Sequence, residues 1–275
     1  MMKQPELHFY DLGSDVVAFS STRRGGCSEG NYAEWNINRY CGDRDEAIRE
    51  NRQTLCELLG ISDDRLLMPH QVHLTKTAKI DDVFFALPAE ERQQRLEGVD
   101  AIMTSLPDVC IGVSTADCIP ILLYDKVNRA VCAIHAGWRG TVSRIAEKAV
   151  KDMCEAYGSK PSDLIAQIGP GISLDSFEVG DEVYEAFSKA GFDMSAISRK
   201  YPAKVLHTEK WHIDLPVCNR LQLIAAGIAE ENVSVADICT FKQHDTFFSA
   251  RRLGIDSGRI FTGILLRDGR KESHR

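Results

Sequence analysis

The chain has 275 residues, of which 44% are hydrophobic and 27% are charged, and its formal net charge at pH 7 is −7. The net negative charge argues against broad binding to nucleic acid or to an anionic membrane, because both partners are negatively charged and bind basic protein surfaces. No apolar run approaches the roughly 20 residues that a bilayer span requires. The first residues lack the pattern of a signal peptide, so we expect a cytoplasmic protein.

The first third of the chain predicts a strand, a helix and a segment with two histidines. Residues 16–20 read as a strand that leads into a polar, glycine-rich loop. Apolar residues recur at helical spacing over 45–59, and Gly60 is a typical helix stop. The segment His70-Gln71-Val72-His73 follows.

Four apolar runs in the middle of the chain predict strands, at residues 101–103, 109–113, 119–124 and 130–134. The last two flank a turn at 125–128 and predict a hairpin. A hairpin returns the chain to its starting point, so Cys118 before its first strand is expected to face His135 after its second. A thiolate beside an imidazole suits transition-metal coordination or nucleophilic catalysis.

The remaining elements predict helices and strands in irregular order. We expect helices over 141–157, capped by Thr141, and over 181–190 and 215–226, with strands at 164–168, 233–236 and 259–266. Strands that come in runs favour an α+β fold, a mixed β-sheet core with helices packed outside, over a Rossmann architecture. No repeat or long linker divides the chain, so we expect one domain over residues 1–275.

The nine cysteines are odd in number and form no CxxC motif, which favours reduced thiols. Most are expected to be small core residues, as free cysteine is usually buried. Cys110 and Cys132 lie inside predicted strands, and Cys154 lies on the apolar face of a predicted helix.

The central hypothesis is a zinc site formed by His73, Cys118 and His135. Zinc accepts nitrogen and sulfur ligands, and a catalytic site usually has three protein ligands and one open position. A Cys118 nucleophile activated by His135 fits the same residues. The residues alone leave both alternatives open, and they also leave open an exchange of His73 for His70.

Arginines cluster beside small residues in three places. Arg23 and Arg24 precede two glycines, Arg139 lies between glycines, and Arg251 with Arg252 follows Phe-Phe-Ser. Arginine binds phosphate or carboxylate with two parallel hydrogen bonds, and glycine lets a ligand approach the backbone. At least one anion site is therefore expected.

These segments resemble those of one known family. The similarity lies in Ser21-Thr22-Arg23, Gln71-Val72-His73, Gly98-Val99-Asp100-Ala101, Thr115-Ala116-Asp117-Cys118 and His135-Ala136-Gly137-Trp138-Arg139-Gly140. Over nearly its whole length the chain resembles the YfiH-like proteins, also called the multicopper polyphenol oxidase (laccase) family. This family includes zinc-dependent purine nucleoside phosphorylases and peptidoglycan-editing factors.

The resemblance implies a fold similar to the cysteine-hydrolase-like catalytic domain of cytotoxic necrotizing factor. It also implies that His73, rather than His70, joins Cys118 and His135 as a zinc ligand. The implied activities are phosphorolysis of adenosine, inosine, guanosine and methylthioadenosine, and deamination of adenosine. The chain departs from the family at Leu74, where glycine is usual, and at Asn36-Ile37-Asn38, where Asn-Leu-Gly is frequent.

We therefore expect a phosphorylase whose partners are purine nucleosides and phosphate. Its expected catalytic residues are Cys118, His135 and Arg139, and its expected substrate-binding residues are Arg23, Asn36, Gln71 and Arg251. The first alternative is a cytoplasmic peptidoglycan-editing hydrolase that uses Cys118 and His135. The second is a copper polyphenol oxidase, which we disfavour because eight histidines are few for several copper centres.

Overall fold

The computed structural model describes residues 5–202 and 209–268. Within these ranges the strands are β1 (Leu7–Tyr10), β2 (Val16–Ser21), β3 (Leu66–Leu67), β4 (Thr77–Ile80), β5 (Ala101–Thr104), β6 (Cys110–Thr115), β7 (Ile119–Asp125), β8 (Ala130–Ala136), β9 (Leu164–Ile168), β10 (Glu178–Val179), β11 (Ser198–Pro202), β12 (Glu209–Ile213), β13 (Val233–Val235) and β14 (Ile260–Leu266).

The helices surround these strands. They are α1 (Asp45–Leu59), α2 (Asp82–Ala86), α3 (Ala89–Arg95), α4 (Trp138–Val142), α5 (Ile145–Tyr157), α6 (Asp181–Lys189), α7 (Met194–Ile197), α8 (Leu215–Ala225) and α9 (Ala250–Leu253). In the described part of the chain, none of them combines the length and apolar character that a membrane crossing requires.

The mixed sheet predicted from the sequence is divided into separate sheets. One has five strands in the order β1-β2-β14-β6-β3, and another has six in the order β13-β9-β7-β8-β5-β4. A small third sheet has the order β10-β12-β11. Both large sheets contain parallel and antiparallel pairs, so the α+β class is confirmed and the single sheet is corrected.

The two large sheets share a buried apolar layer. Ile111 and Val113 of β6 pack in one cluster with Leu122 of β7 and Val131 and Ala133 of β8. Successive side chains of a strand point to opposite faces, so a sheet with apolar residues at consecutive positions has two faces to bury. The long apolar runs at 119–124 and 130–134 therefore belong to strands that are covered on both sides.

Helices cover the outer faces of both sheets. Ile121 and Leu123 of β7 pack with Ile145 and Ala149 of α5 on one side. On the other side, Phe19 of β2 packs in a cluster with residues of α1, including Leu55 and Leu59. The result is a four-layer arrangement of helix, sheet, sheet and helix. The strand ends that carry the candidate site residues are therefore held from both sides.

Local signals explain which sequence predictions succeeded. The predicted helix over 45–59 is α1 with the same bounds, and Gly60 ends it in the left-handed conformation with φ of 67°. The hairpin turn is held by Asp125, whose carboxylate accepts hydrogen bonds from the backbone amides of Val127 and Asn128, each 2.9 Å long. Both features are encoded within a few residues, which is why the sequence shows them.

The predicted helix over 141–157 is interrupted. A short helix, α4, already begins at Trp138, and α5 begins at Ile145 after Arg144, which has a left-handed φ of 62°. Thr141 therefore lies inside α4 and does not cap a helix start. The side-chain amide of Asn219 in α8 donates a 3.1 Å hydrogen bond to its hydroxyl, so tertiary packing decides its role.

Candidate active site

The central hairpin brings Cys118 and His135 together as the sequence predicts. Its register pairs Pro120 with His135 and Ile119 with Ala136, which leaves Cys118 just before β7 and Gly137 just after β8. His73 approaches from the segment between β3 and β4. One potential ligand atom from each of His73, Cys118 and His135 lies within 4.8 Å of the others.

The backbone around this group is shaped to let the side chains converge. His73 and Asp117 are non-glycine residues with left-handed φ angles of 64° and 83°. Such angles are rarely adopted by residues other than glycine and occur preferentially at functional sites. Gly137 lies directly against the group, because a Cβ atom there would approach His73 Cδ2 to 2.8 Å and Cys118 Sγ to 3.1 Å.

Asp100 supports the group from behind. Its carboxylate is fully buried and lies 2.8 Å from His135 Nδ1. The same carboxylate accepts hydrogen bonds from the backbone amides of His73 at 2.9 Å and Leu74 at 2.8 Å. With Nδ1 engaged by Asp100, Nε2 is the nitrogen of His135 available to a metal.

Charge interactions stabilise the ionised forms in this group. Burial raises the pKa of the Cys118 thiol, but His135 and His73 outweigh it and lower the pKa to about 6. Burial lowers the pKa of His135, whereas Cys118 and Asp100 raise it, with a net result of about 9. The lowered pKa of Cys118 favours the thiolate, which is the form that binds metals.

The donor set suits a zinc ion. Two imidazole nitrogens and one thiolate are ligand types that zinc prefers, and three protein ligands are typical of catalytic zinc sites. Metal-binding histidines usually donate their second ring nitrogen to a carboxylate, as His135 does to Asp100. The absence of a side chain at Gly137 also leaves the space beside His73 and Cys118 open.

The three residues lie in the wall of a cavity of about 820 Å³. This volume lies within the range of roughly 300–1,000 Å³ that is usual for small-molecule sites. Other parts of the wall come from individual residues within the segments 38–42, 69–71, 114–117 and 250–259. The metal-ligand group therefore opens onto a space large enough for an organic substrate.

Two arginines, Arg251 and Arg259, contribute to the cavity wall. Arg251 Nη1 donates a hydrogen bond to the carbonyl of Glu178, and within residues 5–202 and 209–268 its guanidinium forms no ion pair. Arg259 instead directs both terminal nitrogens to backbone carbonyls of its own loop, at Ser257, Gly258 and Ile255. Arg251 thus has more donor capacity left for an anionic ligand.

Two of the predicted substrate-binding residues make internal contacts. The Gln71 amide lies in the cavity wall and exchanges two hydrogen bonds with the backbone of Ser114, of 2.8 and 2.7 Å. Asn36 is fully buried, and its amide contacts Asp43 and the backbone amides of Asn38 and Arg259. Both side chains position segments of the cavity wall.

Arg23 and Arg139 are not among the residues that line this cavity. Arg23 donates hydrogen bonds of 2.8 Å to the carbonyls of Ala33 and His244, and its guanidinium lies over the ring of Phe248. Arg139 is exposed and lies over the ring of Trp138, 4.2 Å from its centre. Their predicted roles in binding an anion stay predictions.

The structure separates the two histidines that the residue pattern alone could not rank. His73 belongs to the metal-ligand group, whereas His70 lies in the cavity wall outside it. The Nδ1 atom of His70 is hydrogen-bonded to Glu97, and its ring stacks on Tyr40 at 4.4 Å between centres. Its position is thus fixed by other partners.

Sequence reasoning assigned no role to Asp100 or Arg259. The signal for Asp100 is a charged residue directly before the apolar strand β5, because a buried carboxylate requires partners. Arg259 is marked in the sequence only as part of the family pattern Gly258-Arg259, and it reaches the cavity because β14, which it directly precedes, lies between β2 and β6.

Residues 17–267 match the profile of the family described as multi-copper polyphenol oxidoreductase laccase. The chain belongs to this family, as its sequence motifs suggested. The match includes the candidate metal ligands and the arginines of the cavity wall.

Relatives and solved structures agree with this assignment. The chain is 48% identical over 253 residues to a purine nucleoside phosphorylase of Bacteroides thetaiotaomicron, covering 92% of each chain. It is 45% identical over 264 residues to adenosine deaminase RL5 of an unknown prokaryotic organism, covering 96% of this chain and 99% of the relative. The crystal structure of YlmD from Geobacillus stearothermophilus is similar with a TM-score of 0.83 and 30% identity, covering 93% of each chain.

Proposed function

We propose that this protein is a zinc-dependent purine nucleoside phosphorylase that cleaves adenosine, inosine, guanosine and methylthioadenosine, and that it also deaminates adenosine. The observation that carries this proposal is the presence of His73, Cys118 and His135 in the same cavity as Arg251. The reactions named for the two relatives support it. We place the activity in the cytoplasm and in a single domain.

In this proposal His73, Cys118 and His135 hold the zinc. Bound there, zinc would supply Lewis-acid polarisation of a substrate oxygen, or for deamination an activated water. The thiolate of Cys118 reduces the charge of the ion, and Asp100 keeps His135 oriented towards it. Gly137 keeps the approach to the group free of side-chain atoms.

Arg251 binds phosphate in this proposal. Its guanidinium can form two parallel hydrogen bonds with phosphate oxygens and can spread their charge. An oxygen of phosphate then forms a bond to the sugar carbon C1′, and the bond from C1′ to the purine nitrogen breaks with its electron pair on the base. Holding phosphate in line with that bond provides much of the rate enhancement.

The test is a paired measurement on one sample of untagged protein. Metal content is determined by elemental analysis, and release of free base from adenosine, inosine, guanosine and methylthioadenosine is followed with and without phosphate. About one zinc per chain with phosphate-dependent release supports the proposal. Zinc without release from any of the four nucleosides overturns the phosphorylase assignment.

A second candidate is the peptidoglycan-editing hydrolase with a Cys118 nucleophile, on a fold of the cysteine-hydrolase type. The observation in its favour is the direct pairing of Cys118 with His135 beside a fully buried aspartate. Nucleophile, base and orienting carboxylate are the parts of such an enzyme. Hydrolytic activity on cell-wall precursors that survives complete metal removal would favour this candidate.

A copper oxidase is disfavoured by the number of metal-ligand groups. Within residues 5–202 and 209–268, His73, Cys118 and His135 form the one group of at least three clustered histidine, cysteine or carboxylate ligands. Multicopper oxidases need several centres that are rich in histidine. Copper content well below one atom per chain after mild purification is the expected result.

A further inference from the structure

Asp100 connects two of the three candidate metal ligands through one carboxylate. Its side chain is fully buried and has no lysine or arginine partner among the described residues. Oδ1 lies 2.8 Å from His135 Nδ1 and 2.9 Å from the amide nitrogen of His73, and Oδ2 accepts from the amides of Val72 and Leu74. Both oxygens of this buried carboxylate are therefore occupied by hydrogen bonds from His135 and from the backbone amides of residues 72–74.

The contact with His135 selects one form of its ring. A carboxylate only accepts hydrogen bonds, so the proton lies on Nδ1 and the lone pair of Nε2 is free for a metal. The backbone amide of His135 also donates to the carbonyl of Asp100 at 2.8 Å, which fixes the two residues relative to each other.

The contacts with the His73 segment select a backbone conformation. Three consecutive amides, of residues 72–74, converge on the one carboxylate. His73, in the middle, has the left-handed φ of 64°, which is unfavourable for a non-glycine residue. The hydrogen bonds to Asp100 offset that cost and hold His73 towards Cys118.

We propose that Asp100 is a positioning residue that sets the tautomer of His135 and the backbone of His73 together, so that metal affinity depends on its negative charge. The inference rests on the metal centre of the proposed function. It goes beyond the identity of the ligands, because it assigns the orientation of two of them, His73 and His135, to a residue that is not itself a ligand.

The variant Asp100→Asn tests this inference with little change of shape. An amide has one oxygen, so it cannot accept from all four donors, and its NH₂ group must face one of them. If the NH₂ group faces His135, it donates to Nδ1, and the proton of the neutral ring moves to Nε2. If it faces the His73 segment, it opposes the backbone amides that hold the left-handed conformation.

Zn²⁺ affinity is measured by competition with a chromophoric chelator, and Co²⁺ is added alone as a spectroscopic probe. We expect Asp100→Asn to weaken Zn²⁺ binding by roughly 10- to 100-fold, the usual effect of changing a partner of a metal ligand. The visible bands of tetrahedral Co²⁺ should weaken or shift. Unchanged affinity together with an unchanged Co²⁺ spectrum overturns the inference.

The matched control is Asp125→Asn. Asp125 is also fully buried, and its carboxylate also accepts from backbone amides, but it lies in the hairpin turn and contacts no candidate ligand. This variant should lose stability while keeping the Zn²⁺ affinity and the Co²⁺ spectrum of the parent. If both variants lose metal affinity equally, Asp100 acts only through general stability and the inference is overturned.

A measurement on the parent protein covers the case in which Asp100→Asn does not fold. In the zinc-loaded protein, the Nδ1 proton of His135 should exchange slowly with solvent in a nuclear magnetic resonance experiment, because buried Asp100 holds it. Fast exchange contradicts the inference. Failure of the proposed function gives a different result from failure of this inference. In that case the zinc-loaded parent protein shows no phosphate-dependent release of base.

Discussion

The two sides of the cavity are built in different ways. The ligand side consists of Cys118 and His135 at the ends of packed strands and of exposed His73 on the segment between β3 and β4, with buried Asp100 behind them. The loop side consists of residues 38–42 and 250–259, and it includes Ile255, which is 78% exposed, and exposed Arg251. The strands of the ligand side are fixed by the hydrophobic layers of the two sheets. The loop side is fixed by hydrogen bonds within its own loop, such as those of Arg259, and by a small apolar cluster against which Ala250 and Leu253 pack.

This difference suggests a division of work. Atoms at the ends of packed strands are held with the accuracy that a metal site needs, because few neighbouring atoms can move. Loops vary more easily in length and sequence, so selection of the substrate falls to the loop side. The following predictions test whether changes on the ligand side abolish activity and changes on the loop side mainly alter substrate affinity.

The largest effect is expected for Cys118→Ala. Loss of the thiolate should reduce the zinc content to background and lower turnover by more than the roughly 100-fold expected for a change behind the ligands. Elemental analysis and base release on the same sample measure both. Cys132→Ala is the control, because Cys132 is a buried core residue of β8. Full turnover by metal-free Cys118→Ala protein would falsify the metal centre.

The next effect is expected for Gly137→Ala. The backbone at Gly137, with φ of −67° and ψ of 166°, accepts alanine, so the change acts only through the added methyl group beside His73 and Cys118. Displacing a ligand by about 1 Å can cost roughly 100-fold in turnover. Zinc affinity and kcat are the quantities to measure.

Gly180→Ala is the matched control for this glycine. Gly180 also precedes a helix, with φ of −76° and ψ of 166°, and the three heavy atoms nearest to a methyl group there all belong to the carboxylate end of Glu182. That flexible side chain can move aside, so metal binding should stay as in the parent. Equal losses in the two variants would show that the methyl group at Gly137 does not act through the ligands.

On the loop side, Arg251→Ala should raise KM for phosphate by roughly 10- to 100-fold with a smaller change in kcat. A charge-assisted hydrogen bond contributes about 1.5–3 kcal/mol, and about 1.4 kcal/mol corresponds to a factor of ten. The backbone amide of Arg251, which donates to Asp117, remains in the variant. Zinc content should not change.

The neighbouring Arg252→Ala is the control on the same short helix. Arg252 donates to the carbonyl of Phe241 and lies over its ring, and it is not among the residues that line the cavity. Its removal should leave KM for phosphate within about twofold of the parent, because surface changes away from a site have small effects. A similar rise in both variants contradicts a specific role for Arg251.

The smallest catalytic effects are expected for Arg139→Ala and Arg23→Ala. The exposed contact of Arg139 with Trp138 contributes about 0.5–1 kcal/mol. Loss of the hydrogen bonds from Arg23 leaves two carbonyls without that donor and should cost about 1–3 kcal/mol of stability. Denaturant unfolding and phosphate kinetics separate the two quantities. A selective rise in KM for phosphate would support the anion-binding role that the sequence predicts for these arginines.

The difference between the two sides of the cavity also explains which site residues the sequence predicts. His135 and Cys118 could be paired from apolar runs and a short turn, because a hairpin is a local structure with a fixed register. The direction of an arginine side chain depends on contacts far along the chain, such as that of Arg23 with His244. The glycines beside Arg23 and Arg139 therefore indicate a flexible backbone at these positions. They do not indicate which cavity each arginine side chain lies next to.

The division of the strands into two large sheets also could not be predicted from local sequence patterns. Consecutive apolar residues show that a strand is buried on both faces, but they do not show whether a helix or a second sheet covers each face. The elements missed altogether are short or polar. For example, α3 has no buried residue, and half of β1 is exposed.

The position of β14 has a consequence for the synthesis of the protein. This strand begins at Ile260, yet it lies in the middle of the five-stranded sheet, between β2 and β6, with Thr262 opposite Ser20. Until the ribosome has released residues 260–266, β2 and β6 have no partner between them. Contacts so distant in sequence form slowly. The five-stranded sheet, and with it the cavity wall next to β14, is therefore completed only after residues 260–266 have been synthesised.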